Sequence, residues 1–421
     1  MGPNVRRILT AQALRAFAYG FGAVLVGAAL AQRGYSSTTV GLVLTSVVIG
    51  TVVASLWLAR YADRVGRRRS YVAMYVLLAL VGVVYAVSSP LWLLLLVSLT
   101  GALSTDVVES GPFTSLEQPM LATELPRSEQ LGGFGRYNAI ATAGGSLGAL
   151  AAGLPGLLRH WWSHGPSDSR YFLVFVPVAL AGALVAAKLT VSVEAPSAPT
   201  ARVRGTRLTR SRPTVFRLSA LFAVDSFGGG FVVQAFVAYW FAVRFGASVG
   251  VIGVVFFFSG LLQTVSFLSA IALGKRFGLL ATMVFSHLPS NLLLAAMAFS
   301  PNFAVAVTLW LARVCLSQMD VPTRQAYVMA LVDPQEQTAA AAYTNTARYL
   351  SRPFGPVLAG AAQSVALGLP FLIAGTIKVG YDLVLWQWFR RVPLPAPTSH
   401  STPPSSERSN NEVDHPGPPE D

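Results

Sequence analysis

The chain has 421 residues, 53% of them hydrophobic and 12% charged, with a formal net charge of +13. A soluble protein is roughly 25% charged, so this composition excludes an ordinary globular fold and places the chain in a lipid bilayer. The apolar runs are long and continuous, without the alternation of a barrel wall, and so point to helices, the other structure that satisfies its own backbone in hydrocarbon.

A spanning helix needs ~20 apolar residues. Suitable runs fall at 9–31, 36–59, 70–89, 91–117, 131–157 and 171–190, then at 216–243, 248–273, 279–299, 303–325, 337–364 and 368–389. The expectation is an all-α membrane protein of twelve transmembrane helices, six plus six. Residues 1–190 form an N-terminal bundle, 191–214 a cytoplasmic linker rich in Pro, Ser, Thr and Arg, and 215–391 a C-terminal bundle. The tail 392–421 has too few large apolar side chains to fold alone and is expected to be disordered and cytoplasmic. The first run is too long for a signal peptide, and no small-residue cleavage site follows it, so it reads as a retained helix.

The halves repeat one another. With an offset of 207, Gln118, Glu129, Gln130, Asn138, Gly148 and Gly153 return as Gln325, Glu336, Gln337, Asn345, Gly355 and Gly360. Some charges change sign in this frame: Asp106 falls on Arg313 and Glu117 on Arg324. With an offset of 210, Arg15 falls on Asp225, while Phe17, Gly20 and Phe21 match Phe227, Gly230 and Phe231. Two fused copies of one unit imply a pseudo-symmetric body.

Nucleic acid would be one partner for so basic a chain, but its positive residues sit mostly in alternate loops, which reports membrane topology instead. Arg6, Arg7, Arg64, Arg67 to Arg69, Arg127, the 202–217 cluster, Lys275, Arg276, Arg390 and Arg391 share one side, so both termini are expected in the cytoplasm and the protein in the plasma membrane. The lone Cys315 allows neither a disulfide framework nor a thiolate metal site. The 159–170 loop holds His160, His164 and Asp168 at no standard metal spacing, and its Trp161 and Trp162 read better as an interfacial anchor.

Between the second and third spans the sequence ARYADRVGRRR runs from Ala59 to Arg69. Here the chain resembles the major facilitator superfamily (MFS), whose transporters carry GxxxDRxGRRR in this loop. The match covers Asp63, Arg64, Gly66, Arg67, Arg68 and Arg69, with Ala59 in place of the first glycine, and a reduced copy, GKRFG, stands at Gly274 to Gly278. A positive-inside loop would explain the arginines but not Asp63. The resemblance implies two bundles that rock about a central cavity. It also implies that Asp63 faces the start of helix eleven near Gln337 and that Arg67 pairs with Glu117, together latching the outward-facing state.

Charges within the spans are candidate site residues, because a charge at mid-bilayer costs ~2.5 to 3.5 kcal/mol even on the lenient scale. Arg15 and Asp106 lie at similar depth, on the order of 10 to 16 Å inside, and are expected to pair, as are Asp225 and Arg313. Such pairs are either staples, parts of a substrate site or gate, or members of a proton path. Glu109, whose repeat counterpart is Leu316, is the preferred proton carrier. Arg348 and Arg352 lie one turn apart and either receive a carboxylate or phosphate or neutralise Asp225 or Asp320. Lys378 and Asp382 read as a local i, i+4 pair and His287 as structural.

The expected function is secondary active transport of a small organic solute by alternating access. Proton-coupled export is placed ahead of uptake by symport and of a transport-dead receptor or scaffold with the same fold. Gly144, Gly148, Gly153 and the pair Gly355 and Pro356 partly resemble the glycine-proline motif of exporters in the superfamily, although the fifth span lacks the dipeptide and the fourth lacks the arginine of drug/proton antiporters. No nucleophile with its base, metal signature or nucleotide loop is present in the sequence, so neither an enzyme nor a cofactor is expected, and the chain is taken as a monomer.

Overall fold

The computed structural model describes residues 2–104, 111–154, 168–194, 208–333 and 336–392. Asp106, Glu109, His160, His164, the middle of the linker and the tail lie outside them. The first half comprises α1 (Pro3–Gln32), α2 (Ser37–Val65), α3 (Arg67–Val87), α4 (Leu91–Ser98), α5 (Thr114–Glu124), α6 (Arg127–Ala151) and α7 (Phe175–Ala187), the last preceded by a 3-10 turn at Asp168–Val174. The second comprises α8 (Arg212–Gly230), α9 (Gln234–Phe245), α10 (Val249–Phe277), α11 (Leu279–Ala296), α12 (Phe303–Ser317), α13 (Asp320–Leu331), α14 (Gln337–Ser351), α15 (Phe354–Val365) and α16 (Leu369–Phe389). Nine stretches among the described residues are long and apolar enough to cross a membrane. The remaining spans, over α4 with α5, α6, and α14 with α15, are interrupted or less apolar.

Local chemistry explains the repeat where residue matching fails. Ser36 caps α2 by accepting from the Thr39 N–H, and Ser248 caps α10 by accepting from Val251. The second cap is the first moved by 212 residues. The same shift carries Gly66 onto Gly278, the left-handed hinges that start α3 and α11 with φ of 101° and 86°. The motif expected as a loop is therefore two helices meeting at one glycine. Glu194 holds the new N-terminus by accepting from the backbone N–H groups of Arg67 (2.5 Å) and Arg68 (3.2 Å).

Four spans break in mid-course, each for a local reason. The seventh passes through Gly228 to Gly230 and restarts after Val233. Pro353, which cannot donate to the helix ladder, follows Arg352 and divides the eleventh. The tenth bends between Ser317 and Asp320, and the fourth opens after Ser98, where Gly101 takes φ 72°. Discontinuous membrane helices free polar backbone only where it lines a cavity or is buried in protein.

Glycines set one close crossing in each bundle. A Cβ on Gly20 would stand 1.9 Å from the Gly145 carbonyl oxygen, and one on Gly230 would stand 2.4 Å from that of Arg352. These crossings, α1 on α6 and α8 on the α14–α15 break, are related by the repeat. The halves meet at the end far from the chain termini: Tyr239 donates to the Tyr35 carbonyl (3.1 Å), Thr45 to that of Pro353 (3.1 Å), and Gly41 packs against Pro356. At the terminal end Asn4 donates to Glu124 (3.1 Å) and to Thr190 (2.6 Å), gathering α1, α5 and the start of the linker.

Candidate functional site

The two bundles carry equivalent ion pairs with exchanged charges. In the first, Arg15 donates through Nε to Glu117 Oε1 (3.0 Å) and through Nη2 to Oε2 (2.9 Å), the side chains being 1% and 0% exposed. Tyr71 and Tyr137 donate to the same carboxylate at 2.8 and 2.6 Å, and Tyr19 and Phe113 turn their rings to the guanidinium. Every oxygen lone pair the ion pair needs filled is filled, which is the condition under which a buried pair survives desolvation.

The repeat carries Arg15 to Asp225 and Glu117 to Arg324, and these two lie 3.8 Å apart in the second bundle. Here the pair is not sealed. Lys378 bonds Asp225, Arg324 bonds Asp320 (2.6 Å), and His287 sits with Nε2 3.8 Å from Asp225 and Nδ1 2.8 Å from Asp382. Asn291 donates to the other Asp382 oxygen at 2.8 Å.

This network forms one wall of a cavity of about 220 Å³. α8, α10, α12, α13 and α14 line it, with Thr142, Gly145 and Ser146 of α6 opposite. Trp310 lies in the wall, donates to Ser259 Oγ (2.9 Å) and meets Phe256 edge to face. Gln234, Gln263 and Gln318 add amides. Arg313 reaches in with its Cζ 5.1 Å from the Trp310 ring. Its Nε is buried without a hydrogen-bond partner, and among the described residues it forms no salt bridge.

Several expected pairings are corrected. Arg15 is bound by Glu117, and its expected partner Asp106 lies outside the described residues. Glu117 is thereby withdrawn from Arg67, which instead bonds Asp63 one turn earlier on the same face (2.7 Å). Asp63 is 57% exposed, its only ion pair among the described residues is that one, and Gln337 donates to the Met329 carbonyl, so the latch implied by the resemblance is not formed here. Arg64 lies exposed beside it, over the Tyr61 ring.

Asp225 pairs with Lys378 and Arg324 rather than Arg313. Lys378 and Asp382 do not pair with each other: their i, i+4 spacing put them on one face, but Lys378 bonds Asp225 and Asp382 bonds His287, each on a neighbouring helix. His287 is part of the cavity wall. Arg313, Arg348 and Arg352 do line the cavity, together with Asp225, whereas Arg15 lies outside it. Glu109 falls outside the described residues.

The Glu117–Arg324 exchange was visible in the repeat, but the motif had assigned Glu117 elsewhere. His287 had a signal too, since the 212 shift of the Gly66 hinge carries Tyr75 onto it.

The profile of the Major Facilitator Superfamily matches residues 8–356. The chain belongs to this superfamily. Its fold is similar to that of the nucleoside transporter NupG, with a TM-score of 0.71 at 16% identity over 93% of this chain and 98% of that one. A bacterial homologue of the human lysosomal transporter Spinster, inward-facing and unoccupied, matches with a TM-score of 0.69 at 16% identity over 93% and 98%. The xylose transporter XylE from E. coli, in an inward open conformation, matches with 0.67 at 15% identity over 94% and 98%. In sequence the chain is 25% identical over 406 residues to YJR124C, an uncharacterized membrane protein of Saccharomyces cerevisiae (strain ATCC 204508 / S288c), covering 88% of this chain and 91% of that protein. The superfamily resemblance and the twelve-helix fold expected from sequence are both borne out. The chain is a multi-pass membrane protein of a transporter superfamily.

Proposed function

We propose that this protein moves a small organic anion with an apolar or aromatic portion across the plasma membrane by alternating access, driven by protons in the direction of export. The observation that carries the reading is Arg313, a guanidinium aimed into a cavity without a carboxylate partner of its own among the described residues. A fixed charge in low dielectric calls for an opposite charge, and a guanidinium offers planar paired donors to a carboxylate or phosphate. Trp310 and Phe256 beside it supply an apolar wall, and the three glutamines supply neutral hydrogen bonds.

The halves touch at the end far from the termini, while Asp63 stands exposed at the terminal end. With the basic loops in the cytoplasm this is an inward-open arrangement, and loading from the cytoplasm suits export. Asp63, Arg64, Gly66 and Arg67 then belong to the closure of that side. Proteoliposomes loaded with a panel of small organic acids, nucleosides and sugars, with and without a pH gradient, test the proposal. Flux of an acid that requires the gradient is expected. Flux of neutral solutes alone, or none across the panel, contradicts it.

A further inference from the structure

We propose that His287, held between Asp382 and Asp225, is the proton-binding site that couples proton movement to the opening of the cavity. The proposal deepens the transport reading and rests on it for the proton's purpose, but not for the site itself.

Both ring nitrogens of His287 face carboxylate oxygens: Nδ1 lies 2.8 Å from Asp382 and Nε2 lies 3.8 Å from Asp225. A neutral imidazole has one donor and one acceptor, so it would turn a lone pair toward one of these acids. The Asp225 contact is too long for a hydrogen bond and the Asn291 amide lies 3.0 Å from Nδ1, so it is the charge of the imidazolium, set between two carboxylates, that suits both. The surrounding charges agree. Asp225 of α8 is bonded by Lys378 of α16, and Arg324 of α13 bonds Asp320. The imidazolium completes a third pair with Asp382 of α16, which is fully buried and otherwise has Asn291 of α11 as its donor. Tyr381 presents its ring 5.9 Å away, and Arg313 of α12 stands on the cavity wall outside these pairs.

Removing the proton leaves Asp382 a buried carboxylate without a cation, a costly arrangement that a change of conformation would relieve. The site is placed to exert that effect. His287, Asp225 and Lys378 line the cavity, so the proton exchanges with its open side. His287 also ties α11 to α16 through Asp382 and to α8 through Asp225, and α8 runs directly into the glycine break at Gly228 to Gly230. In the first bundle Tyr75 occupies the related position and donates to the Ala11 carbonyl (2.6 Å), a group that does not ionise near neutral pH.

The test needs no solute. Spin labels at Arg60→Cys and Lys275→Cys, both exposed near the terminal ends of α2 and α10, report the separation of the bundles in a Cys315→Ser background. Between about pH 5 and about pH 8, the range over which histidine changes charge, the wide-separation population should fall as pH rises. It should not respond in His287→Gln. Asp382→Asn, which keeps the shape and a partner for Asn291, should lose the response as well and serves if the first variant does not fold. An unchanged response in His287→Gln or in Asp382→Asn, or none in the parent, overturns the proposal. Loss of anion flux alongside a His287-dependent response would sink the solute assignment and leave the proton site standing.

Discussion

Arg15 with Glu117 and Asp225 with Arg324 are the same pair of positions in two copies of one unit, yet they are used differently. In the first bundle two tyrosines and a bidentate guanidinium close the pair off from the cavity. In the second, the corresponding groups stand 3.8 Å apart, share their charges with Lys378, Asp320 and His287, and face the cavity. A duplicated fold can keep one copy of a polar cluster as a fixed internal tie and open the other to ligands. What separates the two is saturation: a carboxylate whose oxygens are all engaged has nothing left to offer a solute.

The contrast predicts unequal responses to mutation. Glu117→Ala removes the bidentate carboxylate from buried Arg15 and should cost ~3–5 kcal/mol, read as a large fall in melting temperature in detergent. Replacing both partners, Arg15→Met with Glu117→Leu, should recover most of that loss, because a buried pair exchanged for packed apolar groups is often neutral. If the double variant is as unstable as the single, the first pair is more than a tie. Gly230→Leu comes next: its side chain has no room beside the Arg352 carbonyl, and the α8 crossing on the α14–α15 break should be forced apart, with transport and yield both falling.

Arg313→Gln sharpens the other side of the comparison. Because no salt bridge among the described residues depends on it, stability should hold to within ~1 kcal/mol while anion flux is lost. The smallest effect concerns the linker. Glu336 accepts from the N–H groups of Thr209, Arg210 and Ser211 and from the Thr209 hydroxyl, and these bonds hold its carboxyl down to about 2. A depressed carboxyl stabilises the fold above its ordinary titration range, and the benefit is lost as pH falls through the folded value. Amide exchange at residues 209–211 should therefore accelerate as pH drops from about 4.5 toward about 2, relative to Glu336→Gln, in which it should be fast throughout.

The sequence made the architecture plain because membrane helices need long apolar runs and because the repeat survives at glycines that permit close crossing, such as Gly20 and Gly230. Partners were harder to read. Depth along a helix placed Asp225 near Arg313, but rotation about the axis decides which side chains meet, and rotation is fixed by packing that spacing alone does not record. Glu117 was drawn to Arg67 by the motif, a pairing suited to a closed terminal side. His287 and Lys378 looked incidental because their partners lie on helices distant in sequence. Arg313, Arg348 and Arg352 stood out because intramembrane cations are expensive unless they face protein or water, and all three line the cavity.

The central claim, that the second bundle's cluster handles solute while the first is structural, is tested most directly by binding to the purified protein. An organic acid that raises the melting temperature of the parent should be titrated against Arg313→Gln and against Arg15→Met with Glu117→Leu. The account predicts that the first variant loses the ligand-induced shift and the second keeps it. A shift retained in Arg313→Gln but absent in the folded double variant would contradict it.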